Sequence, residues 1–98
     1  MDKGSVIETL RSHEAELRAA GVDHLFLFGS VARGDNSSQS DIDLIAEFNS
    51  SRRRTLVTMA HLENRLRDLL GLKVDLSPAN AMKAHVRTRA LLEAVRAF

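Results

Sequence analysis

Asp41 and Asp43 stand at alternate positions at the head of the run DIDLIAEF, which otherwise reads as a buried β-strand. Side chains alternate faces along a strand, so both carboxylates project from the same face. Two ionised carboxylates side by side repel, and taking them out of water costs more still. A chain that keeps both there is expected to hold a cation between them. Magnesium fits best, because it prefers hard oxygen ligands and takes one or two carboxylates together with substrate phosphates.

Gly29-Ser30 precedes the pair, separated from Asp41 by ten residues. Glycine lets the backbone approach a triphosphate closely and adopt positive φ. Ser30, opening a helical turn, offers a hydroxyl and N–H groups to an anion. Arg33 adds a charge-assisted contact to phosphate, or else pairs with Asp35 or Glu47. Gly34 permits the turn back toward the second strand. Gly29, Ser30, Arg33 and Gly34 thus form the candidate nucleotide-binding set. Phosphoryl and nucleotidyl transfer depend mainly on positioning and charge neutralisation. Two cations ~3.5–4 Å apart can stabilise the attacking and leaving oxygens together, and they need a third carboxylate. Asp75, in the pattern KVDL, is the best candidate if its strand lies beside the strand of Asp43. Otherwise it is a capping or solvated aspartate. Taken singly, Gly-Ser or Asp-x-Asp carries little. A strand, Gly-Ser, an Arg-Gly turn, a polar loop and Asp-x-Asp entering a second strand are hard to obtain together by chance.

The 98 residues suffice for one small domain, expected over 1–98. The absence of cysteine excludes disulfides and thiolate chemistry and points to a reducing cytoplasm. A net charge of +1 supports neither nucleic-acid nor anionic-membrane binding. No apolar run reaches membrane-span length, and MDKGS is not expected to act as a signal peptide.

Ser5 with Glu8 has capping-box spacing for a first helix running to Gly21, on Val6, Ile7, Leu10 and Leu17. Residues 22–28 and 42–48 read as strands, and 35–40 and 49–54 as polar loops. Thr55 caps a helix with the stripe Leu56, Met59, Leu62, Leu66 and Leu69-Leu70, ended by Gly71. Residues 72–76 read as the third strand and Pro78 as loop. A last helix is expected over about 84–97, burying Val86, Ala90, Leu91, Ala94, Val95 and Phe98. This order predicts an α/β fold: a small mixed sheet of about three to four strands packed with helices.

The segment GSVARGDNSSQSDIDL resembles, almost residue for residue, the signature of the DNA polymerase β-like nucleotidyltransferase superfamily. The nearest likeness is to its minimal nucleotidyltransferases, the MNT domain proteins, and VDLS and RALLEAV are similar to that group's third strand and last helix. The resemblance implies Gly29 and Ser30 at the nucleotide phosphates. It also implies Asp41, Asp43 and Asp75 as catalytic ligands of two magnesium ions, with Asp75 nearest the acceptor hydroxyl as general base. Proteins of this group resemble the antitoxin halves of toxin–antitoxin modules whose partner is a HEPN-type ribonuclease. The implied activity is transfer of AMP from ATP to a toxin hydroxyl, tyrosine above all, within a hetero-oligomer.

No second domain to hold an RNA end, a template or an antibiotic is expected, so the acceptor comes from elsewhere. The chain contains no tyrosine, so a tyrosine acceptor would lie on a partner. Two other readings stand beside this one: an antitoxin that masks its toxin without catalysis, and a nucleotidyltransferase acting on a small molecule or RNA end. Arg52-Arg53-Arg54 reads as a solvated loop, or as a contact for an acidic partner surface or for substrate phosphate. His13, His24, His61 and His85 lack metal-ligand spacing. Apolar residues of the helix after Thr55 that stay exposed would mark a partner interface.

Overall fold

The computed structural model describes residues 2–35, 37, 40–49 and 55–98. Arg52, Arg53 and Arg54 lie outside the described residues. The chain runs through α1 (Lys3–Ser12), α2 (Glu14–Ala19), β1 (Val22–Phe28), α3 (Gly29–Arg33), β2 (Ile42–Phe48), α4 (Leu56–Leu70) and β3 (Val74–Pro78). A 3-10 turn at Ala79–Ala81, α5 (Ala84–Glu93) and β4 (Val95–Arg96) complete it. The four strands form one mixed sheet in the order β3-β2-β1-β4. β1 is antiparallel to both β2 and β4, whereas β2 and β3 are parallel. Parallel neighbours need a long crossover, and α4 supplies it.

One sheet face carries the core. Leu25, Leu27, Ile42, Leu44, Ala46, Val74 and Leu76 pack with Val6 and Leu10 of α1, Leu17 of α2, and Leu62, Leu66 and Leu70 of α4. The last three recur every fourth residue, one stripe of a helix. Each such side chain contributes about 1.5–3 kcal/mol when fully buried. That burial fixes which face of β2 and β3 turns inward, and leaves Asp43 and Asp75 on the other.

Several local expectations are corrected. The cap of α1 is Asp2, not Ser5: the Asp2 carboxylate accepts from the Ser5 backbone N–H at 2.8 Å. A carboxylate is the stronger acceptor for an orphan N–H, and this bond holds the Asp2 pKa below its usual value. The single first helix is two, broken at His13 (φ −111°, ψ 18°). There Ser12 Oγ donates to the Thr9 carbonyl at 2.8 Å and His13 Nδ1 lies 3.0 Å from the same oxygen. Side chains that take a helical carbonyl compete with the helix itself.

The third strand starts two residues later than expected and runs through Pro78, which an edge strand tolerates. The last helix stops at Glu93, and Ala94 turns extended (ψ 153°) into β4. Pairing with Leu27 and Phe26 covers an edge of β1 that would otherwise stand open. Phe98 is buried as expected, but α5 buries no residue fully, and Val86 is exposed. On α4, Leu56 is 90% exposed, outside the stripe it was expected to join. No described helix is long and apolar enough to cross a membrane.

Candidate active site

The site forms where β1 ends and β2 begins. Phe28 is the register partner of Asp43, so the residue after Phe28 is delivered to that carboxylate. This residue is Gly29, with φ +76°. A Cβ there would collide with the Asp43 carboxylate and lie 3.2 Å from its Cγ. Only glycine satisfies both the left-handed backbone and the close approach. Val31 and Ala32 anchor α3 in the core, which leaves half-buried Ser30 beside the turn. Gly34 ends α3 in the left-handed region (φ 80°), and the Asp35 N–H returns to the Ser30 carbonyl at 3.1 Å. Gly34 therefore turns the chain back toward β2, as its position suggests.

Asp75 is the register neighbour of Asp43 on the parallel strand. The strand-pairing condition set for Asp75 holds, because β3 does lie beside β2. Asp41 precedes β2 by one residue and is exposed, as is Asp75, while Asp43 is half-buried. The Asp43 carboxyl is pushed above the usual carboxylate range, first by burial and then by the charges of Asp75 and Asp41. Arg33 pulls it the other way. Arg33 itself pairs with Asp35 (Nε–Oδ2 3.2 Å), with both side chains exposed. Of its two expected ion-pair partners, the structure shows Asp35. A water-facing pair is worth about 0–1 kcal/mol, so a phosphate can displace it.

Among the described residues, no three acid or histidine side chains are gathered into a preformed metal cluster. The donor set nevertheless suits magnesium, which completes its shell with phosphate oxygens and water around one or two carboxylates. Mutual repulsion of Asp41, Asp43 and Asp75 is what a bound cation would relieve. The histidines stand apart: His24 meets Arg96 on the β1–β4 edge, and His61 and His85 are exposed.

A cleft of about 340 Å³ on the carboxylate-bearing face escaped the sequence reading. Glu47 and Phe48 of β2, Ala79, Asn80, and Arg87 and Leu91 of α5 line it. Its one sequence signal is Glu47, four positions after Asp43 and hence on the same strand face.

The family model for the nucleotidyltransferase domain matches residues 8–97. Protein adenylyltransferase MntA of Thermococcus cleftensis is 36% identical over 87 residues, spanning 88% of this chain and 86% of that protein. A solved structure described as a minimal nucleotidyltransferase superposes with a TM-score of 0.75 at 37% identity, over 97% of this chain and 95% of that one. The fold also recurs in a solved complex of tri-AMPylated Shewanella oneidensis HEPN toxin with MNT antitoxin. That match has a TM-score of 0.66 at 16% identity, over 94% of this chain and 71% of that one.

Proposed function

The chain belongs to the nucleotidyltransferase domain family, and from that membership we infer that residues 1–98 act as one minimal domain transferring AMP from ATP to a protein hydroxyl. The acceptor in this reading is a HEPN-type toxin, and the chain is its antitoxin. The relative named as a protein adenylyltransferase supports the reaction, and the AMPylated toxin held by an MNT antitoxin supports the partner. With no tyrosine in this chain, a tyrosine acceptor must be the toxin's.

The observation that carries the proposal is the meeting of Gly29, Asp43 and Asp75 on one sheet face. The Gly29 turn leaves room for the triphosphate to approach the backbone, and Ser30 offers its hydroxyl there. Arg33 exchanges Asp35 for phosphate. Asp41, Asp43 and Asp75 would hold magnesium, which when bound neutralises charge on the triphosphate and on the departing pyrophosphate. Asp75 accepts the proton of the acceptor hydroxyl. The acceptor oxygen bonds to the α-phosphorus as the bond from that phosphorus to the pyrophosphate oxygen breaks. The products are AMP-protein and pyrophosphate.

The test is incubation with α-labelled ATP, magnesium and the product of the neighbouring gene as the candidate HEPN partner, read by intact mass. AMP should appear on the partner and fall by at least about 100-fold in Asp41→Asn, the scale of losing a group that stabilises the transition state. A tight complex with no transfer overturns the enzymatic reading in favour of a masking antitoxin. AMP recovered only on RNA or on a small molecule overturns the protein acceptor.

A further inference from the structure

α5 is an anomaly in this fold. A helix that merely covers a sheet buries an apolar stripe, yet no residue of α5 is fully buried. Its ten residues pack against β1 and α3, beside the candidate site. Arg87 and Leu91 turn toward the sheet and line the cleft with Glu47. On the opposite side, His85, Arg89 and Leu92 follow at i, i+4 and i+7 and form one outward stripe. Leu92 is 81% exposed, and Val86 beside the stripe is 44% exposed.

The charge on this helix is one-sided. Lys83 at the N-cap, Arg87 and Arg89 are its cations and Glu93 its one acid; Arg87 shares the cleft with Glu47, and none of the three is ion-paired among the described residues. The first turn holds no acid and the N-cap makes no side-chain hydrogen bond. Lys83 and Arg87, toward the N-terminal end, oppose the helix dipole, while Arg89 stands past the middle of the helix as the one cation of the outward stripe, open to an anionic partner.

Resting on the reading of a protein that accepts AMP, we propose that the outward face of α5 is the surface on which the acceptor docks, and that it receives an acidic segment bearing an apolar side chain. The helix stands on the side of the sheet that carries Asp43 and Asp75, so a protein bound there brings its hydroxyl to the carboxylates. Glu47 in the cleft is four strand positions from Asp43, ~13 Å at about 3.3 Å per residue. An extended segment of about four residues spans that distance, with one side chain in the cleft and the acceptor hydroxyl at Asp75. Exposed leucine and valine among so few cations fit a protein surface better than a phosphate backbone, which is met chiefly by charge.

Affinity for the candidate HEPN partner should be measured by calorimetry for the wild type, Arg89→Glu, Leu92→Ser and Arg89→Lys. KM for that protein in AMP transfer should be measured beside it. Arg89→Glu is expected to weaken binding and raise KM about tenfold, with kcat, ATP affinity and melting temperature unchanged. Leu92→Ser should act in the same direction, and Arg89→Lys should retain most of the affinity. Affinity and KM unchanged in an Arg89→Glu/Leu92→Ser double variant overturn the proposal. Failure of the wild type to bind the HEPN protein overturns it too, as does loss of single-stranded RNA retention in the double variant with HEPN binding intact. A wild-type complex that forms but transfers no AMP sinks the proposed reaction alone, and α5 is then judged on affinity.

Discussion

At Gly29, one absent methyl group decides whether strand, turn and carboxylate can meet. Gly29→Ala is expected to cost about 1–3 kcal/mol, because alanine must take a left-handed backbone while its Cβ displaces the Asp43 carboxylate. A thermal melt checks the loss, and AMP transfer should fall with it. Asp43 makes the opposite prediction for stability. Its carboxyl holds its proton to higher pH in the folded protein than the ordinary 3.8. The folded state therefore binds more protons in that window, and stability falls as pH rises through it. Metal-free Asp43→Asn should melt higher than the wild type at neutral pH, with the gain fading as pH drops toward 3.8. Added magnesium should then stabilise the wild type more than the variant. A variant that melts lower at neutral pH without metal would refute this account. The face on which Asp43 stands and the left-handed turn at Gly29 were legible in the sequence because strand alternation and glycine's backbone freedom act locally. Asp35 was one of two ion-pair partners open to Arg33, and only the structure chose between them.

At the scale of elements, α4 was read almost to the residue. Thr55 caps it through a reciprocal box with Thr58, and Gly71 ends it with φ 70°. Thr55→Ala should cost about 1 kcal/mol, visible as a lower urea midpoint with unchanged slope. β1 and β2 matched because turn residues bound short β-rich runs on both sides. The misses lie where a local preference met a distant competitor. Residues 94–98 continue a helical pattern, yet the free edge of β1 offers hydrogen bonds and the core offers Phe98 a pocket. The break at His13 was invisible to hydrophobic spacing, since Val6, Leu10 and Leu17 stay inward on both pieces. At the start of α1 the Ser5-Glu8 spacing competes with Asp2, and the carboxylate wins as the stronger acceptor for the Ser5 N–H.

Across the whole molecule, most of the apolar core lies on one face of the sheet, and the other carries Asp43 and Asp75 together with the fully buried Ile45. The closing segment ties the apolar side together. The Ala97 N–H donates to the Leu25 carbonyl at 2.8 Å, Arg11 Nε donates to the Ala97 carbonyl at 2.7 Å, and the Arg18 guanidinium lies 5.0 Å from the Phe98 ring centroid. Phe98→Ala should therefore cost about 3 kcal/mol, while one cooperative unfolding transition remains. Calorimetry would refute this by showing two transitions or no loss. By itself the sequence determined the α/β class, two of the strands, the crossover helix and the Gly-Ser and Asp-x-Asp ends of the site, all of them set by periods and turn chemistry within a few residues. Only the tertiary structure decided that Asp75 stands beside Asp43, that β4 closes the edge of β1, and that α5 turns Arg89 and Leu92 outward with no ion pair among the described residues. These are outcomes of register and edge pairing between segments far apart in the chain, and their free energy is not written in any local stretch of it.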